Sequence, residues 1–144
     1  MNVIETVKDL LTNYELMDEF NGVHVDYTES ENNVCGMFPV GPTKTGEDIV
    51  GNSKYKIVFE VYAQKESFDD YNRLNNSGFL TQLTYYLNSL KNVSVTETIN
   101  SEEKTGRIKN IDAGNALLYD LPTGDINDGI RYQIQITVNY VIYD

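Results

Sequence analysis

His24 and Cys35 are the only histidine and the only cysteine among 144 residues, so any Ser-His-Asp or Cys-His relay has to be built around one imidazole. His24 stands between Val23 and Val25 in a segment that reads as a strand, and no nucleophile motif accompanies it. A structural or surface role follows. A single thiol allows neither an internal disulfide nor a multi-cysteine zinc site. Carboxylates are plentiful in the doublets Asp18-Glu19, Glu47-Asp48, Asp69-Asp70 and Glu102-Glu103. Such pairs do acid–base chemistry when an apolar, concave setting raises the pKa of one partner, and these lie in polar surroundings. The run Gly41-Pro42-Thr43-Lys44-Thr45-Gly46-Glu47-Asp48 spaces two glycines like a phosphate loop, but Glu47 follows Gly46 where that loop has Lys and Ser or Thr. Asp125-Ile126-Asn127-Asp128-Gly129 has part of a calcium loop without the closing glutamate, and reads as a turn before the last strand. The residues predict no enzyme, no metal and no cofactor.

The elements that position these residues follow from periodicity. Val3, Val7, Leu10, Leu11, Tyr14, Met17 and Phe20 draw one apolar stripe and predict a helix over 3–20, stopped by Asn21-Gly22. Asp18 and Glu19 then sit unfavourably at its C-terminal end. Segments 23–27 and 34–40, rich in Val, Tyr and Phe, predict a small hairpin, and the glycines and proline of 41–53 predict that most of this stretch is a long loop. Residues 54–63 alternate as a half-buried strand. A second helix starts near Phe68, capped by Ser67 or Asp69, and runs through Leu74, Phe79, Leu83, Tyr86, Leu87 and Leu90. Gly78 weakens it unless a close helix contact requires a glycine there. Strands follow at 93–99, 107–119 and 130–143. In the last, Ile130, Tyr132, Ile134, Ile136, Val138, Tyr140 and Ile142 hold one face for ~45 Å, a length expected to bend or to project beyond the core. The order helix, strands, helix, strands predicts a single α+β domain with a mainly antiparallel sheet and two helices.

Composition narrows the function classes. The chain is 40% apolar and 11% aromatic, enough for one globular core. Eleven Lys and Arg against 22 Asp and Glu leave a net charge of −11, which argues against specific nucleic-acid binding and against docking on anionic lipid. No apolar run reaches the roughly 18 residues of a spanning helix, and the first twenty residues lack the pattern of an export signal. A cytoplasmic site of synthesis is expected, and the sequons at Asn75 and Asn92 are read as chance matches. Eleven tyrosines with no tryptophan suit strands, core or a subunit interface.

The segment from Gly51 to Leu90, GNSKYKIVFEVYAQKESFDDYNRLNNSGFLTQLTYYLNSL, resembles the small tail-terminator and minor capsid proteins of Gram-positive tailed phages. In those proteins a Gly-Ser turn leads into an alternating aromatic strand and then a helix with an Asn, a Phe and a closing aromatic-Leu pair. The corresponding positions are Gly51 and Ser53, Tyr55, Phe59 and Val61, Asn75 or Asn76, Phe79, and Tyr86-Leu87. The family's helix often closes in Trp-Leu, where this chain has Tyr86-Leu87. The resemblance implies an α+β subunit of a homohexameric ring on the head-proximal end of a tail tube. The ring stops tube polymerisation and offers the surface for the head, in a phage or a phage-tail-like bacteriocin. Its partners would be further copies of itself, the tail tube protein, and sheath and head–tail connector proteins; its location is the virion tail, assembled in the host cytoplasm. Candidates for contacts with a neighbouring subunit or the tube are Glu47, Asp48, Ile49, Lys54, Arg107, Arg131 and Tyr143. Acidic residues lining such a ring would let DNA pass, and are expected to form no ion pairs. Another neck or connector protein, or a small-ligand-binding or enzymatic α+β domain with a deep apolar pocket around His24 or Cys35, are the competing readings.

Overall fold

Strand β6 (Ile130–Ile142) is paired on both sides along almost its whole length. In the computed structural model, which describes residues 1–14, 23–25, 34–65, 70–120 and 130–143, β3 (Ser53–Lys65) runs antiparallel to it from Ser53 opposite Ile142 to Lys65 opposite Ile130. On the other side β5 (Glu102–Asp120) is antiparallel from Gly106 opposite Ile142 to Asp120 opposite Arg131. Outside these lie β2 (Val34–Glu47), β1 (Val23–Val25) and β4 (Val93–Ile99), giving the order β1-β2-β3-β6-β5-β4. All neighbours are antiparallel except β1 and β2, and helices α1 (Val3–Thr12) and α2 (Asp70–Ser89) complete a single α+β fold.

Alternation puts one face of β6 into the core: Tyr132, Ile134, Ile136, Val138, Tyr140 and Ile142 are all buried. Ile57, Phe59 and Val61 of β3, Met37 of β2 and Val95 of β4 join them, as do Ile108, Ile111 and Ala113 of β5. Two inward residues three apart on β5 need an extra residue between them, and the bulge between Ile108 and Asn110 supplies it. Both helices close this face, α1 with Val3, Val7 and Leu11 and α2 with Leu80, Leu83 and Leu87. At backbone level α1 touches β1 and β4, the two ends of the strand order, so the sheet curls around that helix.

Side chains seal the helix ends and the open strand edge. The Val3 N–H donates to Glu97 Oε1 (2.8 Å) and the Glu5 N–H to Asn2 Oδ1 (2.8 Å), so a carboxylate and a cap answer the first turn of α1. At the other end the Tyr86 hydroxyl donates to the Leu10 carbonyl (3.3 Å), and the Tyr86 ring stacks on Tyr14 at 4.6 Å. Beyond Ile108, where β4 stops, Asn88 of α2 covers β5: its Oδ1 accepts the Ala113 N–H at 2.7 Å.

Several expectations need correction. The first helix ends at Thr12, not at residue 20, because Asn13 turns the chain (φ −86°, ψ −1°) and sends Tyr14 into the core. Residues 23–25 and 34–40 do not form a hairpin; β1 lies parallel to β2, whose antiparallel side is taken by β3. Residues 41–47 are not loop. β2 continues to Glu47, and its Pro42 and Gly46 fall at register shifts on a stretch with no outer partner among the described residues, where a missing N–H costs no ladder bond. The long last strand does not project alone, since β3 and β5 accompany it. β5 begins at Glu102, earlier than 107. Gly78 is exposed with open space around an added Cβ, so no close contact explains it; that constraint belongs to Gly106, where a Cβ would overlap the Val141 carbonyl oxygen. The expected helix stop at Asn21-Gly22, the caps Ser67 and Asp69, the doublet Asp18-Glu19 and the turn 125–129 lie outside the described residues.

The two faces of β6 make opposite predictions. Ile136, fully buried between Phe59 and Ala113 in the ladder, should not accept Asp, because the charge is buried unpaired. Thr137→Asp, one residue on and half-buried on the opposite face, should still fold. Thermal melting by circular dichroism checks both: no cooperative transition for Ile136→Asp, and a cooperative one for Thr137→Asp.

Candidate functional site: one end of the sheet

The ladder gathers most of the candidate residues at a single end. Ser53, Ile142 and Gly106 stand in one row there, so the β2–β3 turn, the end of β6 and the β4–β5 turn all leave the sheet on the same side. Glu47, Asp48 and Ile49 form the first turn. Lys54 and Arg107 flank Val141 in the next row, their Cα atoms ~10 Å apart across two strand spacings. Tyr143 follows β6 and donates its N–H to the Thr105 carbonyl at 2.9 Å. Arg131 does not belong to this group: it pairs with Gln64 and Asp120 at the far end of the sheet.

The β2–β3 turn is held by one carboxylate. Asp48 Oδ1 accepts the N–H groups of Val50 (3.0 Å) and Asn52 (2.8 Å), and Oδ2 accepts the Asn52 side-chain amide (3.0 Å). The Gly51 N–H closes the turn on the Asp48 carbonyl (3.1 Å), and Gly51 adopts the positive φ of 89° that favours glycine. Partial desolvation raises the Asp48 pKa. The donors from Asn52 and Val50 and the nearby Lys54 charge outweigh it, so the carboxyl sits below its ordinary value. The brace leaves Ile49 and Val50 outside, at 104% and 81% exposure. Glu47 is also engaged, in an exposed ion pair with Lys44 at 3.0 Å. Of the acidic doublets, this one is engaged: Glu47 is ion-paired and Asp48 is spent on the turn.

Beside this turn, on the face opposite the core, a cleft of about 500 Å³ is lined by Thr45, Asp48, Lys54, Lys109, Asn110 and Asn139, among others. The bulge after Ile108 brings Lys109 and Asn110 to it together. Val141 is only 5% exposed yet lies outside the core cluster. On this face its row neighbours are Lys54 and Arg107, whose aliphatic stems can cover it while their charges stay in water. With exposed Lys56 two rows further, four cations stand close together on a chain of net charge −11, and none forms an ion pair with a described residue. Val50, Lys56 and Lys109 were not among the sequence candidates. Val50 was legible as the second apolar residue of the turn, whereas nothing in the sequence marks the bulge that places Lys109.

The strand register sets His24 opposite Gly36 and Cys35 opposite Val23; their side chains lie outside the described residues. Among the described residues no three His, Cys, Asp or Glu side chains are grouped to hold a metal, and no helix is long and apolar enough to cross a membrane. No protein-family model matches the chain, and no curated protein matches it either.

On the core side of the same end, Tyr55 stacks on Tyr140 with ring centroids 5.5 Å apart. Burial, reinforced by Glu97 and Tyr55, pushes the Tyr140 hydroxyl up from 10 to about 12. A folded pKa above the unfolded one means that the neutral phenol favours the native state. This contribution is complete below pH 10 and is lost as pH rises toward about 12. Tyr140→Phe should therefore lose less melting temperature than the parent chain between pH 10 and 12, measured by thermal melts across that range; equal losses would remove Tyr140 as the cause.

Proposed function

We propose that the protein is a structural assembly subunit that caps the head-proximal end of a phage or phage-tail-like tail tube as a homohexameric ring. The ring stops tube polymerisation and forms the joining surface for the head. The supporting observation is the braced turn that holds Ile49 and Val50 in water. A tail-tube surface that buries this aliphatic pair would recover the hydrophobic free energy forgone by its exposure, of the order of 1.5–3 kcal/mol per side chain. The brace fixes the pair in position before contact, which lowers the ordering cost of docking. Tyr143, which follows β6, lies at the same end, and tyrosine is enriched in contact cores. The partners in this reading are further copies of the chain, the tube protein, and sheath and connector proteins. The reading assigns no catalytic step and no cofactor.

The test replaces Ile49 and Val50 together by Ser. Because both side chains are exposed, stability should change by no more than about 0.5 kcal/mol per site, while incorporation into tails is lost. Electron microscopy of particles should show uniform tails with antibody label at one end for the parent chain. For the double variant it should show unlabelled tails of uncontrolled length. Uniform tails without the protein, or label spread along the tube, would overturn the reading.

A further inference from the structure

The chain separates its charges between two patches at the same end of the sheet. On the outer face of β3, β6 and β5 stand Lys54, Lys56, Arg107 and Lys109, with two carboxylates that are already bonded: Asp48 within its own turn, and exposed Asp112, which accepts from the Asn110 side-chain amide at 3.3 Å. Next to the β4–β5 turn, Glu102 and Glu103 at the start of β5 are both exposed, with Lys104 beside them, and Glu103 alternates onto the face of Arg107 nearer the tip of the hairpin. Next to it Glu5, Glu97 and Glu103 line a groove of about 410 Å³ that also contains the amino-terminal residue Met1.

We propose that the cationic face receives the acidic β4–β5 turn of a second copy of this chain, so that unlike surfaces of successive copies meet. The occupant follows from charge complementarity: a second copy of a chain at −11 presents excess carboxylate, and its Glu102-Glu103 turn projects where a neighbour can reach it. Four clustered cations repel one another and gain most from an anionic surface. The neutral Asn139 of the cleft offers an amide donor to the same carboxylates. A contact between two different patches is heterologous, and it repeats from copy to copy until it closes as a ring. The proposal thus rests on the ring reading above and supplies its subunit contact.

The experiment uses two charge-reversed proteins, Lys54→Glu with Lys109→Glu, and Glu102→Lys with Glu103→Lys. All four positions are exposed, so both proteins should melt close to the parent chain. Light scattering at low ionic strength should show the parent associating, with association falling as salt rises. Each variant alone should associate at least about tenfold more weakly, since like charges now face each other. An equimolar mixture should recover association to within about threefold of the parent, because each variant's reversed patch meets the other's complementary one. A mixture that stays monomeric while the parent associates, or a variant that associates like the parent, would overturn the contact. A parent chain that is monomeric at every concentration would overturn it as well. The capping reading is judged separately, by tail length and end labelling.

Discussion

Every register in the sheet is measured from β6. Its inward residues, from Tyr132 to Ile142, are buried one after another, and its backbone is paired to β3 on one side and β5 on the other. A slip of one residue against either neighbour would exchange the apolar set for Gln133, Gln135, Thr137 and Asn139. That exchange is costly enough to fix the strand. Once β6 is fixed, Ser53 and Gly106 must lie level with Ile142, and the two hairpin turns must leave the sheet on the same side. The cluster of Ile49, Lys54, Arg107 and Tyr143 follows from that pairing.

The two faces then diverge. The inner face is closed by the two helices, with the sheet curled until both of its outer strands reach α1. Glu97 and Asn88 stitch these layers together by accepting helix and strand N–H groups. The outer face keeps half-buried amides and hydroxyls along β6, and its cations gather near one end.

Regular alternation and helical stripes made much of the fold legible in the sequence. The period of two in β3 and β6 and the spacing of Val3, Val7 and Leu11 each report a local pattern that one buried face imposes. What escaped the sequence depends on distant partners. Pro42 and Gly46 read as loop residues because breakers are judged locally; on an edge with bulges and no outer partner among the described residues they interrupt nothing. The docking of β1 depends on which side of β2 is left by β3. Glu97 meets the start of α1 across 94 residues of chain, a contact that no local spacing encodes. At the site, Asp48 and Ile49 were legible as turn residues beside a strand, but the grouping of Lys54 with Arg107 and Lys109 needs the register of β5, including its bulge.

In the proposed ring, this sheet end joins copies of the chain on a tail tube. Native mass spectrometry of the protein released intact from purified tails tests it most directly. The expected result is a complex of six times the 16.4 kDa chain mass, dissociating to single chains as ionic strength rises. Release only as single chains at low ionic strength, or as an open series of sizes without a closed hexamer, would contradict it.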